Sequence, residues 1–168
     1  MTLDKILEKR CSIRKYNDDN LKDEEIKEIL NAANKAPIGL NRYDHYHLTV
    51  ITNKQFINAI QVEAHKKVTS NKESLFNAPC VIIVSSDIYE DITYADCACI
   101  IENMILKASE LEIGSCYIWG IINKLKDGEY IKALNLKEGF RPISAVVLGK
   151  TDEKLKSKDK EIPVNYIK

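Results

Sequence analysis

Apolar residues at helical spacing open the chain: Leu3, Ile6 and Leu7 follow Thr2, a residue suited to capping, and predict a short helix over residues 2–9. After the turn-rich run Asn17-Asp18-Asp19-Asn20, Ile26, Ile29, Leu30 and Ala33 mark one face of a second helix, with Asp23 as its expected cap. That helix must stop ahead of Pro37, because proline disfavours helical geometry in the residue before it. The period then changes to two. From His45 to Thr52, Tyr46, Leu48 and Val50 share one face while His45 and His47 lie on the other, which predicts a strand. Asn53 is placed to cap a third helix carrying Phe56, Ile57 and Ile60, and this runs into a polar tract at 66–73 read as exposed and mobile.

The second half is more apolar. Within 79–86, Cys80-Val81-Ile82-Ile83-Val84 is a continuous apolar run, the pattern of a strand covered on both faces. Residues 92–112 carry the strongest helical signal, with Gly114 as the expected stop. Its apolar positions, from Ala95 and Cys97 through Ile101 and Met104 to Leu111, spread around most of the circumference. Such a helix must be surrounded. The rest of the domain can cover it, or a partner subunit can cover one side, with the small residues of the helix permitting close approach. Residues 115–119 and 143–148 read as two more strands, with a helix over 127–134 between them. From about residue 150 the chain is a charged tail that includes Lys154, Lys156, Lys158 and Lys160. Strands separated by helices around one long central helix point to one α+β domain over 1–168, built as a three-layer α/β arrangement.

Composition narrows the partners. Lys and Arg number 25 against 25 Asp and Glu, so no global field draws in nucleic acid or an anionic membrane. No apolar run reaches the roughly 18 residues that span a bilayer. The 5 cysteines are odd in number, mostly embedded in apolar runs, and preceded by no secretory signal, which points to the reducing cytoplasm. Cys97 and Cys99 form a lone C-x-C with no second pair at metal-binding spacing.

The candidate chemistry sits in Arg10-Cys11-Ser12-Ile13-Arg14-Lys15-Tyr16. In an extended chain Arg10, Ser12 and Arg14 point one way. Two guanidinium forks around a hydroxyl suit a phosphate, although a solvated basic patch has the same composition. The stretch Ala36-Pro37-Ile38-Gly39-Leu40-Asn41-Arg42-Tyr43 is either a plain connection or an irregular backbone able to approach a ligand closely. Trp119-Gly120 closes a strand, as packing and a turn or as a ligand contact. No G-x-G-x-x-G follows a strand, no phosphate-binding G-x-x-x-x-G-K-[ST] occurs, and no nucleophile elbow is present.

Four stretches, in this order and spacing, resemble the nitroreductase family of FMN-dependent oxidoreductases. They are Arg10 through Tyr16, Ala36-Pro37 through Asn41-Arg42, Asn77-Ala78-Pro79 ahead of a buried strand, and Asp96 through Gly120. The similarity runs from about residue 3 to about residue 160. It implies a nitroreductase-like fold, a central mostly antiparallel sheet flanked by helices, with the long buried helix at a homodimer interface. It further implies that Arg10, Cys11, Ser12 and Arg14 lie at the FMN phosphate, and that Pro37, Ile38, Gly39 and Asn41 lie along the flavin. Trp119 and Gly120 would face flavin N5, and Lys156 and Lys158 would complete the phosphate site.

The chemistry so implied is ping-pong transfer of hydride from NADH or NADPH through flavin N5 to a nitroaromatic, quinone or similar small acceptor. A different flavin reaction on the same scaffold, or an FMN carrier or sensor without turnover, are the alternatives. Two departures bear on the site: Cys11 stands where the family more often has a basic or polar residue, and Tyr43-Asp44-His45 replaces the usual continuation of the loop.

Overall fold

In the computed structural model, which describes residues 1–66, 75–120, 122, 129–153 and 161–168, β-strands and helices alternate along the chain as the apolar pattern requires. The helices are α1 (Leu3–Lys9), α2 (Asp23–Ala33), α3 (Lys54–Lys66), α4 (Asp91–Glu110) and α5 (Glu129–Ala133). The strands are β1 (Tyr46–Ile51), β2 (Cys80–Ser86), β3 (Gly114–Ile118) and β4 (Arg141–Gly149). They form one sheet in the order β1-β2-β4-β3, every neighbouring pair antiparallel. The polar tract read as mobile lies, from residue 67 on, outside the described residues, as do positions 127 and 128 of the expected fifth helix.

The alternation within β2 and β4 makes the layers. Ile82, Val84, Val146 and Leu148 face α2 and α4, where they meet Ile29, Ile101 and Met104. Val81, Ile83, Ala145 and Val147 face the other way, onto Ile57 and Ile60 of α3. Helices therefore cover both faces, and β2 is buried along its whole length. The result is an α+β fold of three layers.

Three local expectations need correction. Asp23 is the first residue of α2, not its cap: Lys22 occupies that place, and the Glu25 carboxylate accepts the Lys22 backbone N–H at 2.9 Å. Val50, grouped with Tyr46 and Leu48, is exposed, because β1 is an edge strand and α4 does not reach its far end. Gly114 does not stop α4. The helix ends in a Schellman turn in which Glu112 takes the left-handed conformation (φ 58°), with Ile113 N–H bonded to Ala108 C=O at 2.8 Å. Gly114 instead begins β3, where a Cβ would lie 2.9 Å from Thr151 Cγ2 and 3.0 Å from Ile13 Cγ2. Asn53 does cap α3, through Oδ1 to Phe56 N–H at 3.0 Å.

Candidate functional site

The basic stretch is anchored by its one apolar residue. Ile13, 2% exposed, packs beneath the start of β3 and donates its N–H to Ser115 C=O at 2.8 Å, so the chain here is extended beside Ser115. Alternation about Ile13 leaves Ser12 and Arg14 exposed together. Arg14 Nη1 donates to the Ser12 carbonyl at 3.3 Å, and its guanidinium carbon stands 5.8 Å from the centre of the Phe76 ring. Arg10 caps the C-terminal end of α1 and is half-buried, as is Cys11. Beneath the clamp, burial pushes the Cys116 thiol up, against the opposing pull of Arg14 and a hydrogen bond from Ser12. Burial likewise raises Tyr16, whose hydroxyl donates to Ile13 C=O at 2.7 Å.

β3 runs from this clamp to Trp119 and Gly120. From Ser115 to Trp119 is about 13 Å at the strand rise, the order of distance between the phosphate and the ring of an extended FMN. Trp119 is 51% exposed beyond the strand end. A Cβ built on Gly120 meets nothing within 4 Å among the described residues. Exposed donors at one end of a strand and a glycine that no described residue crowds at the other fit a flavin mononucleotide. Lys156 and Lys158 lie outside the described residues.

The Pro37–Asn41 segment stands elsewhere. Gly39 N–H donates to both oxygens of Asp96, at 3.1 and 3.2 Å, and Tyr46 Oη donates to Asp96 Oδ2 at 2.8 Å. Asp96 lies near the N-terminal end of α4 and is 5% exposed. Burial, and then the Asp96 carboxylate, push the Tyr46 phenol up, which keeps it a donor. A side chain on Gly39 would collide with Ile92 Cδ1. Leu40 and Asn41 follow with φ of 54° and 58°, and Leu40 projects its side chain into solvent, 83% exposed. Left-handed geometry costs a branched residue about 1–2 kcal/mol.

The clamp, by contrast, is at the other end of α4. Ser109 Oγ donates to Ile6 C=O of α1 at 3.4 Å, and Lys9 pairs with Glu112 at 3.0 Å. From Asp96 to Glu110 is about 21 Å of helix. The structure therefore exposes Ser12 and Arg14 on one side, with Arg10 and Cys11 half-buried just before them, sets Trp119 and Gly120 along the strand from them, and holds Pro37, Ile38, Gly39 and Asn41 apart within one chain.

A family model for the nitroreductase family matches residues 7–150. The chain belongs to the nitroreductase family. It is accordingly an oxidoreductase. A candidate NADH dehydrogenase/NAD(P)H nitroreductase of Methanothermobacter thermautotrophicus is 32% identical over 146 residues, 83% of this chain and 72% of that protein. A nitroreductase from Bacteroides fragilis solved with bound FMN superposes with a TM-score of 0.84 at 25% identity, covering 99% of this chain and 97% of the other. A nitroreductase from Desulfitobacterium hafniense, at 23% identity and a TM-score of 0.83 over 99% and 98% of the two chains, has the same fold.

Sequence reasoning gave Phe76, Tyr46 and Asp96 no part in the site. Phe76 and Tyr46 are ordinary apolar choices in sequence. Asp96 did carry a signal: a carboxylate four residues before Ile100, on the stripe of the long helix that burial demands.

Proposed function

We propose that this chain is an FMN-dependent oxidoreductase that takes reducing equivalents from NADH or NADPH and passes them to a small organic acceptor such as a nitroaromatic or quinone. The observation that carries the reading is the exposed Ser12–Arg14 pair at one end of β3 with Gly120, which no described residue crowds, at the other. Arg14 and Ser12 hold the phosphate, with Arg10 adding charge from the end of α1. The bound FMN supplies two-electron redox chemistry. A backbone N–H in the Trp119–Gly120 region steadies negative charge at the ring, with no side-chain acid or nucleophile required.

The working unit is a homodimer. A single chain leaves the Gly39 loop about 21 Å along α4 from its own clamp. Two copies related by a two-fold axis, with their α4 helices antiparallel, put the loop of each beside the clamp of the other. α4 carries the surface for this: Tyr94, Ala95, Ala98 and Glu102 are exposed along one side of it. All the cysteines are free thiols, in keeping with the cytoplasm. Among the described residues no helix is long and apolar enough to cross a membrane.

The test is the visible spectrum of the purified protein before and after anaerobic NADH or NADPH, followed by identification of the released chromophore. Flavin bands that bleach, FMN on denaturation, and steady oxidation of NAD(P)H with a quinone or nitroaromatic are expected. A protein that takes up no FMN overturns the reading. One that binds FMN but oxidises no NAD(P)H with any acceptor overturns the catalytic part alone.

A further inference from the structure

The loop proposed to line the flavin contains two consecutive non-glycine residues in left-handed geometry, Leu40 and Asn41, and an apolar side chain in open solvent. A backbone of this kind relaxes unless its surroundings hold it. Within the segment, Asn41 N–H bonds Ile38 C=O at 3.0 Å and Tyr43 Oη bonds Ala36 C=O at 2.8 Å. These close the loop on itself but do not fix it to the rest of the molecule.

One group does so. Asp96 accepts the Gly39 N–H with both oxygens and the Tyr46 hydroxyl with one, so a single carboxylate ties the loop, the start of β1 and α4 together. The absence of a side chain on Gly39 lets the backbone approach with Ile92 in its present rotamer, since a Cβ there would strike Ile92 Cδ1. A buried carboxylate that meets two separate donors costs stability to lose, since the half-buried Gly39 N–H would be left without its acceptor and the Tyr46 hydroxyl without one of its partners.

We infer that Asp96 is a positioning residue: it presets the strained Gly39–Asn41 turn that one subunit lends to the flavin clamp of its partner. This rests on the flavin reading and on the crossed dimer, and it adds a buried residue that touches neither cofactor nor substrate. Preforming the loop removes an ordering cost from binding. Loss of the strut should therefore weaken FMN binding with Arg14 and Ser12 untouched.

The test uses Asp96→Asn in the full chain, with Tyr46→Phe as a second variant that removes one donor and keeps the carboxylate. The first readout is amide exchange in flavin-free protein, well below the melting temperature. Residues 36–43 should exchange at least tenfold faster in Asp96→Asn while β2 and β4 stay protected, with a smaller rise at the same place in Tyr46→Phe. The second is the FMN dissociation constant, expected to rise at least tenfold in Asp96→Asn. The third is a mixed dimer of one Asp96→Asn chain with one Arg14→Ala chain. It should regain one tight FMN site, built from the intact clamp of the first and the intact loop of the second.

Unchanged exchange over 36–43, unchanged FMN affinity, or a mixed dimer with no tight site each overturns the inference. If Asp96→Asn does not fold, unaltered exchange in Tyr46→Phe overturns it. Wild-type protein that binds no FMN would bring down the flavin reading instead, leaving the exchange result to decide whether Asp96 holds the loop.

Discussion

Arg14 combines exposure with a fixed start: its backbone is held beside Ser115 by the neighbouring Ile13, and its guanidinium leans on Phe76. Replacing it by alanine removes a charged donor without opening the core. FMN affinity should fall by about 1.5–3 kcal/mol, the scale of a hydrogen bond to a charged group, with the melting temperature nearly unchanged. Fluorescence titration with FMN checks this; unaltered affinity would remove Arg14 from the phosphate site. At this scale the sequence was readable wherever a residue acts on near neighbours. Asn53 caps α3 as its position suggests, and Ser12 and Arg14 share a side because alternation about Ile13 requires it. Gly114 and Gly39 were ambiguous, since the atoms that exclude a side chain there, on Ile13, Thr151 and Ile92, come from distant parts of the chain.

Helices and strands followed from periodicity because apolar spacing decides which face is buried, and burial decides the element. Their ends were less legible. The end of α4 shows why: Glu112 occupies the left-handed position that glycine usually fills, and the turn closes around it through Ile113. Glu112→Gly should relieve about 1 kcal/mol of backbone strain and give up a few tenths in the exposed pair with Lys9. The variant should melt roughly 2 °C higher. A scanning calorimetry trace with a lower melting temperature would show that the pair with Lys9, at 3.0 Å, outweighs the strain.

For the whole molecule, the decisive feature is that α4 separates the Gly39 loop from the Arg10–Arg14 stretch, so under the proposed flavin reading neither end of one chain would complete the site alone. Ala98 stands exposed along α4, where the proposed dimer would bring antiparallel copies together. Ala98→Arg should leave the fold intact by circular dichroism, shift the mass in light scattering from dimer to monomer, and weaken FMN binding at least tenfold. A variant that stays dimeric with full affinity would exclude this face as the contact. Ile101 and Met104 are unsuited to that experiment, because both are wholly buried inside the chain's own core.

The sequence by itself determined the α+β class, the buried strands, the long apolar helix and the placing of Ser12 and Arg14 on one side of Ile13. All of these depend on residues a few positions apart, whose spacing is the physical variable. Only the tertiary structure decided that Gly39 rests on Asp96, that no described residue crowds Gly120, and that the Arg10–Arg14 stretch and the Gly39 loop stand at opposite ends of α4. Those facts depend on which distant segments the sheet brings into contact, and no local pattern records them.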